Sequence, residues 1–303
     1  MELSRRSWIQ ASLAGMLAAP PWIQAAAAAD AKRSLAGEVG ITTGSFMQHL
    51  RADPALHKTL LLDLPRRMRE EDMRVIDLMN ETLASLEPAY LDELRSRAEQ
   101  HGCVITNLKM NQRNVDLASP DADVRRRTLD EYRRSIDVAQ RLGCRWVRPA
   151  PRGKRPDMEL LAAGLRELID YAAPKGIGVL IENNAWMSDD PAAITDIITA
   201  VARPGIAAAP DTGNWTDAAR YAGLAQSFPR AVTCDFKASE LGPHGEHPKY
   251  DLKRCFQIGW DAGFRGPWCL EHFDKTLDGL WRGFGRLRDM LRGWMKEATE
   301  NAQ

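Results

Sequence analysis

Cysteine is scarce in this chain and follows no framework pattern. The five cysteines are odd in number, and none of them forms a CxxC pair or a short-spaced cluster. Four of them lie in or beside apolar strand-like runs, which is typical of buried thiols rather than of a zinc knuckle or a set of disulfides. The cysteines are Cys103, Cys144, Cys234, Cys255 and Cys269.

An excess of one charge and phosphate-binding glycine motifs are also absent. Lys plus Arg and Asp plus Glu are equal at 41 each, so no overall field favours nucleic acid or an anionic membrane. No GxGxxG or GxxxxGK[ST] motif follows any strand-like run, which disfavours a nucleotide-binding sheet. A chain of 303 residues with 44% hydrophobic content can bury a large core, and we expect its partner to be a small molecule.

Residues 1–36 are predicted to be an export leader rather than part of the fold. Arg5 and Arg6 precede an apolar stretch, 11–23, and an alanine-rich stretch, 25–31, that suits a signal peptidase. This arrangement resembles a twin-arginine signal, which would carry the folded protein to the periplasm. The apolar stretch is too short and too rich in alanine for a stable membrane anchor. The alternative is an uncleaved amphipathic helix.

From residue 37 to residue 303, eight strand-like runs each precede a helical pattern. The predicted strands are 39–43, 75–79, 104–110, 146–149, 178–182, 206–211, 231–237 and 267–272. The predicted helices are 60–72, 88–101, 121–142, 157–173, 190–201, 216–228, 251–262 and 276–299. Continuous apolar strands indicate burial on both faces, and eight such units predict a single-domain α/β fold, the (β/α)8 TIM barrel. A doubly wound sheet is the alternative fold.

Four of the apolar runs carry an acidic residue near the carboxyl end. A carboxylate that closes a buried run costs several kcal/mol of desolvation unless a cation lies beside it. In a barrel the carboxyl ends of all strands meet on one face, so the four side chains are expected to converge on a shared cation, most simply a divalent metal ion. The four residues are Glu182, Asp211, Asp235 and Glu271.

The segments around these four residues carry a family resemblance. LIENN with Glu182, PDTGNW with Asp211, VTCDFKAS with Asp235 and CLEHF with Glu271 resemble the metal-binding signature of the xylose isomerase-like barrels, often called sugar phosphate isomerase/epimerases. The resemblance covers essentially everything after residue 37. It implies one divalent ion, Mn²⁺ or Mg²⁺, that is held by Glu, Asp, His and Glu in strand order five to eight.

Asp235 stands where the resemblance implies histidine, and Lys237 follows two residues later. Three interpretations stay open. Lys237 neutralises part of the excess negative charge, the pocket favours a hard, oxygen-preferring ion, or metal binding is weakened or lost. In the last case Asp235 and Lys237 would form a buried ion pair without a metal.

The resemblance implies proton transfer beside a carbonyl, through an enediolate. The metal would hold two vicinal sugar oxygens, and Glu182 and Glu271 would act as base and acid on opposite faces of the substrate. We therefore expect a sugar isomerase or epimerase that acts on a free carbohydrate. The alternatives are a lyase or hydrolase of keto-glycosides at the same site, and a non-catalytic periplasmic sugar-binding barrel. An endonuclease IV-like activity fits poorly, because the chain has only six histidines and balanced charge.

Further polar and aromatic residues at the strand ends are candidate substrate ligands. The cations and the amide could bind hydroxyl groups or take part in salt bridges, and the tryptophans could stack on a sugar ring or cover the core. The histidine belongs to an HGEH segment that is expected to be a flexible loop with at most one substrate contact. Family members are often dimers or tetramers, so a homo-oligomer is also expected. The candidates are Lys237, Lys109, Arg148, Asn184, Trp186, Trp215 and His244.

Overall fold

Parallel strands and helices alternate along the chain in this computed structural model, which describes residues 34–150 and 153–301. Residues 1–33 of the predicted leader lie outside the described residues. The strands are β1 (Val39–Thr42), β2 (Val75–Met79), β3 (Val104–Met110), β4 (Trp146–Pro149), β5 (Gly178–Ile181), β6 (Ile206–Ala208), β7 (Cys234–Ala238) and β8 (Trp268–His272). They form one eight-stranded sheet in the order β6-β5-β4-β3-β2-β1-β8-β7. The predicted (β/α)8 fold is confirmed.

Each of the eight predicted helices overlaps a helix of the structure, and the short helix at Met47–Ala52 was not predicted. The helices are α1 (Met47–Ala52), α2 (Leu60–Glu70), α3 (Pro88–Gln100), α4 (Ala122–Leu142), α5 (Met158–Ala172), α6 (Ala193–Val201), α7 (Arg220–Ser227), α8 (Leu252–Asp261) and α9 (Leu277–Glu300). Aspartates cap several of them, as where Asp157 accepts hydrogen bonds from the backbone N–H groups of Glu159 and Leu160. Among the described helices, none is both long enough and apolar enough to span a bilayer.

The two edges of the sheet meet between β6 and β7. Isolated parallel bridges join Ala208 to Ala231 and Asp211 to Asp235. The strand predicted at 206–211 ends at Ala208, because Pro210 has no N–H to donate to a neighbouring strand. The backbone N–H of Asp235 donates to the Pro210 carbonyl at 3.0 Å, so the two acidic residues are held side by side where the edges meet.

Side chains alternate between the two faces of β7 and β8. Phe236 and Trp268 point outward into an aromatic cluster, where their ring centroids lie 5.8 Å apart. Phe236 also contacts Trp294 of α9 at 6.3 Å between centroids. Asp235 and Lys237 point the opposite way, because successive residues of a strand face opposite sides. The aromatic core therefore fixes the strands whose inward faces carry the ionisable residues.

Candidate active site

Acidic side chains from separate strands meet inside the barrel at its carboxyl end. Glu182 directly follows β5, Asp211 lies beyond β6 and Asp235 lies on β7. One oxygen of each can be chosen so that all three lie within 4.8 Å of one another, and all three residues are buried. The structure thus brings together three of the four predicted metal ligands.

Lys109 of β3 reaches into the middle of this acidic group. Its Nζ lies 2.5 Å from Asp235 Oδ2, 3.7 Å from Asp77 Oδ2 and 3.8 Å from Glu182 Oε2. It also donates a hydrogen bond to Thr42 Oγ1 at 3.1 Å. Burial alone would lower the pKa of Lys109, but the surrounding carboxylates outweigh it and raise the pKa well above its usual value. Lys109 is therefore a fixed ammonium group at the floor of the site.

Glu182 is held as a carboxylate by two cations that lie near the same oxygen. Arg148 Nε, from β4, lies 3.0 Å from Glu182 Oε2, and Lys109 Nζ lies 3.8 Å from it. Burial raises the pKa of Glu182, yet Arg148 and Lys109 overcome this effect, so the pKa lies below its usual value. Arg148 and Lys109 were predicted as substrate ligands, and the structure shows both of them in ion pairs with the acidic group.

Lys237 joins Glu271 to Asp211 at the mouth of the site. Its Nζ lies 2.9 Å from Glu271 Oε1, 3.6 Å from Asp211 Oδ2 and 3.1 Å from Asn214 Oδ1. Glu271 is not one of the three carboxylates that gather within 4.8 Å. The alternative ion pair between Asp235 and Lys237 is not the one observed. Asp235 contacts Lys109 instead, and Lys237 contacts Glu271. The reason is that Lys109 reaches Asp235 from β3, across the barrel.

Asp211 is oriented by its neighbours rather than by a cation alone. Its Oδ1 accepts hydrogen bonds from the backbone N–H groups of Gly213 at 2.6 Å and Asn214 at 3.0 Å. Asn183 bonds both backbone groups of Asp211, accepting from the N–H at 2.8 Å and donating to the carbonyl at 3.0 Å. Burial raises the pKa of Asp211 to about 7, although Lys237 opposes the change. These contacts leave Oδ2 facing the other carboxylates.

The donor set fits a hard divalent ion. Within the described part of the chain, Asp211 Oδ2 and Asp235 Oδ1 are buried oxygens without a hydrogen-bond partner. Glu182 Oε2 also accepts no hydrogen bond, although it forms the ion pair with Arg148. Mg²⁺ and Mn²⁺ prefer such oxygens, and an octahedral ion with bonds of about 2.1 Å needs its ligands at most about 4.2 Å apart, close to the spacing found. Even with Lys109, Arg148 and Lys237 present, acidic side chains remain in excess at the site. These three carboxylates could therefore hold a metal ion.

Asp77 is a site residue that the sequence analysis missed. It lies on β2 and is 1% exposed, and its Oδ1 accepts a hydrogen bond from Asn107 Nδ2 at 3.1 Å. The signal was present in the sequence, since Asp77 stands inside the apolar run VIDLM just as the four predicted acids stand in theirs. It was not predicted because Asp77 lies in the middle of β2, whereas the four predicted acids lie near the carboxyl ends of their runs.

The two tryptophan candidates and Asn184 differ in how far their side chains are buried. Trp186 is half-buried in the short 3₁₀ helix after β5, and the guanidinium of Arg155 lies 5.2 Å from its ring centroid. Trp215 belongs instead to the hydrophobic core, so tightly packed that a Cβ on Gly223 would lie 2.7 Å from its ring. The structure therefore does not place Trp215 as a stacking surface, because the ring is covered by α7. Asn184 is half-buried directly after Glu182 and Asn183.

His244 lies away from the acidic group. It is exposed, its backbone N–H donates to Glu246 Oε2 at 2.8 Å, and its loop is tied to α9 by Arg286, which donates to the Gly242 carbonyl at 2.8 Å. The other histidine of the HGEH segment, His247, is buried and stacks on Tyr250 with ring centroids 3.9 Å apart. Tyr250 donates to the carbonyl of Lys237 at 2.7 Å. Tyr250 rather than His244 therefore supports the site.

The fold and the buried acidic group define a (β/α)8 barrel with a candidate metal centre at the carboxyl ends of its strands. The chain belongs to the family of xylose isomerase-like TIM barrels, whose family model matches residues 66–298, more than half of the chain. Members of this family commonly bind a divalent metal ion. The family resemblance of the sequence is thereby confirmed. No match was found among curated protein sequences.

Solved structures with the same fold include sugar epimerases. A D-psicose 3-epimerase from Clostridium cellulolyticum H10 with D-tagatose has a TM-score of 0.64 at 14% identity and covers 87% of this chain and 98% of its own. A 3-keto-D-glucoside 4-epimerase from E. coli has a TM-score of 0.64 at 13% identity and covers 84% and 99%. A xylose isomerase-like barrel protein from Mycobacterium smegmatis in complex with magnesium has a TM-score of 0.55 at 19% identity and covers 77% and 88%.

Proposed function

We propose that this protein is a metal-dependent sugar isomerase or epimerase that moves a proton at a carbon beside a carbonyl group. The observation that carries the proposal is the convergence of Glu182, Asp211 and Asp235, with one oxygen of each within 4.8 Å, at the carboxyl end of the barrel. Membership of a family whose solved relatives include sugar epimerases supports the same reaction class.

Glu182, Asp211 and Asp235 would hold the metal, and Glu271 stays the proposed fourth ligand. A bound Mn²⁺ or Mg²⁺ supplies Lewis-acid polarisation of a substrate carbonyl. Glu182 is the proposed base, because the cations beside it keep it in the carboxylate form that a base requires, while they also lower its basicity. Glu271 is the proposed partner on the other side of the substrate, and Lys237 orients it through their 2.9 Å contact.

Lys237 and Trp186 are the proposed substrate contacts from among the remaining candidates. Lys237 lies at the mouth of the site with a side chain 20% exposed, so its ammonium group is within reach of a hydroxyl or carbonyl oxygen. Trp186 is half-buried and could present part of its ring to a sugar. Lys109 and Arg148 are assigned to the support of the carboxylates, because both are almost fully buried against them.

A second candidate function uses the same site on oxidised glycosides. The similar fold of a 3-keto-D-glucoside 4-epimerase favours a keto-glycoside as substrate, with epimerisation, elimination or hydrolysis as the outcome. Abstraction of a proton beside a ketone is the first step in each case. A non-catalytic sugar-binding barrel is the third candidate, favoured by the ion pair that already neutralises Asp235.

Solvent exchange tests the proposed reaction directly. The protein is incubated with Mn²⁺ in D₂O and with free ketoses or 3-keto-glucosides, and the sugars are followed by proton NMR. We expect deuterium at the carbon beside the carbonyl together with an epimeric or isomeric product, and no exchange after the metal is removed with a chelator. Metal-loaded protein that exchanges no proton in either class of sugar would contradict an enzymatic role and favour the binding barrel.

We also propose that the leader directs the protein to the periplasm. Phosphorylated metabolites are scarce there, which favours a free sugar over a sugar phosphate as substrate. The test compares the wild-type chain with a variant that carries both Arg5→Lys and Arg6→Lys, by fractionation of the expressing cells. We expect the wild-type protein in the periplasmic fraction and the variant in the cytoplasm; equal distribution of the two would contradict export by this route.

A further inference from the structure

Asp235 divides its two carboxylate oxygens between different environments. Its Oδ2 lies 2.5 Å from the ammonium group of Lys109. Its Oδ1 is buried without a hydrogen-bond partner among the described residues, and Asp235 is one of the three acids that gather within 4.8 Å. One carboxylate can therefore serve a protein cation and a metal ion at once.

Lys109 is held so that it cannot easily leave this position. It is 2% exposed, and it donates to Thr42 Oγ1 at 3.1 Å as well as contacting Asp235. Its other neighbours are Asp77 and Glu182, at 3.7 and 3.8 Å. A buried ammonium surrounded by several carboxylates is strongly stabilised, because its removal would leave those charges uncompensated in a medium of low polarity.

We propose that Lys109 and Asp235 act as one electroneutral ligand unit for the divalent ion. Asp235 offers Oδ1 to the ion while Oδ2 stays on Lys109, so Lys109 fixes the direction of the ligand and offsets its charge. Lys109 thereby sets the affinity of the site for the metal. This inference rests on the metal site of the proposed function, but not on the identity of the substrate. Lys109 is a positioning residue, since it acts through Asp235.

Removal of the lysine charge is expected to strengthen metal binding. Lys109→Met leaves one more uncompensated negative charge within a few ångströms of the ion, and an unscreened charge at such a distance changes binding by at least about tenfold. The metal-free variant should unfold at a lower temperature than wild type, because Asp77 and Asp235 lose their shared cation. Mn²⁺ should then raise its unfolding temperature by more than it raises that of wild type, through tighter binding to the folded state.

A neutral ligand at position 235 gives the sharper test. Asp235→His should weaken Mn²⁺ binding by at least about tenfold, because the buried ammonium of Lys109 then faces the ion without its counter-charge. The double variant with Asp235→His and Lys109→Met replaces the ion pair by a neutral imidazole and a neutral side chain. It should recover the metal affinity that Asp235→His alone loses. Lys175→Met is the control for loss of a lysine charge elsewhere, because Lys175 pairs with Asp137 outside the acidic group, and it should not rescue Asp235→His.

The measurements are Mn²⁺ titration by calorimetry and thermal unfolding with and without Mn²⁺, neither of which needs turnover. The inference is overturned if Lys109→Met binds Mn²⁺ no tighter than wild type, or if Lys109→Met fails to rescue Asp235→His. If Lys109→Met alone does not fold, the comparison of Asp235→His with the double variant still decides. Wild-type protein that binds Mn²⁺ but turns over no sugar would contradict the proposed function and leave this inference standing.

Discussion

The acidic group inside the barrel has two sides, and the side chains on these sides differ in how much of their surface is exposed to solvent. The side formed by β2 to β5, here called the deep wall, consists of Asp77, Lys109, Arg148 and Glu182. Their side chains are 1 to 4% exposed. The side formed by β7 and β8, here called the open wall, carries Lys237 and Glu271, whose side chains are 20% and 12% exposed. Both walls hold ion pairs, but the side chains of the open wall are more exposed to solvent.

This difference in exposure indicates different roles for the two walls. The deep wall supports the site electrostatically, and the open wall can contact a substrate. Charges on the deep wall are desolvated and oriented by one another, so they form a fixed electrostatic environment before any substrate arrives. Charges on the open wall remain partly hydrated, so their mutual attraction is weaker and they can exchange one partner for another. We therefore expect changes in the deep wall to alter stability, and changes in the open wall to alter turnover with little effect on stability.

The largest expected effect is the loss of turnover when either proposed acid–base residue becomes an amide. Glu182→Gln and Glu271→Gln should each lower kcat by about 10³-fold or more, since a positioned proton-transfer group contributes about 10² to 10⁴-fold. Glu182→Gln should also lower the unfolding temperature, because it removes the counter-charge of Arg148, whereas Glu271→Gln should not. The measurement is kcat together with thermal unfolding; a fully active Glu182→Gln enzyme would remove this mechanism.

Replacing one cation on each wall compares their contributions to stability. Arg148→Met leaves Glu182 buried beside Lys109 alone and should cost about 3 to 5 kcal/mol in the free energy of unfolding, as for other broken buried pairs. Lys237→Met breaks a partly hydrated pair and should cost about 1 kcal/mol or less. Urea unfolding of the two variants measures both values. Equal losses would show that the two walls do not differ in the way their exposure indicates.

The sequence was sufficient to predict the strands and helices that position the site. Strands β2, β3 and β4 match their predicted limits. Gly102 and Gly143 end the helices before β3 and β4, and Pro149 is the last residue of β4. Strand β6 was predicted too long, since the apolar run continues through Ala209 while Pro210 interrupts the hydrogen bonding. Local pattern decides which residues form a strand, but pairing with the neighbour decides where the strand stops.

It was harder to predict from the sequence which charged side chains pair with each other inside the site. The convergence of Glu182, Asp211 and Asp235 follows from parallel topology, which brings the carboxyl ends of strands together. The pairing of Asp235 with Lys109 depends on how far a side chain from β3 reaches across the barrel, a distance that spacing along the chain does not encode. For the same reason the sequence left two alternatives for Trp215, stacking on a sugar or covering the core, and the structure shows the second, with the ring packed against Gly223.

The pH dependence of Asp77 tests the deep wall at a single titrating group. Burial raises its pKa to about 6 from an ordinary value of 3.8, against the opposing effect of Lys109 and Arg148 and with the support of Glu182. Between these two values the folded protein binds a proton that the unfolded chain has released. Stability from this group therefore falls as pH rises from about 4 to about 6, by about 3 kcal/mol.

Asp77→Asn should remove that dependence while keeping the hydrogen bond from Asn107, because the amide oxygen can accept it in place of Oδ1. In the presence of a chelator the variant should be more stable than wild type by up to about 3 kcal/mol at pH 7, and the difference should nearly vanish near pH 4. Urea unfolding at the two pH values gives both differences. A variant that is less stable than wild type at pH 7 would mean that Lys109 needs Asp77 as a counter-charge, and that the deep wall is more evenly balanced than the raised pKa of Asp77 implies.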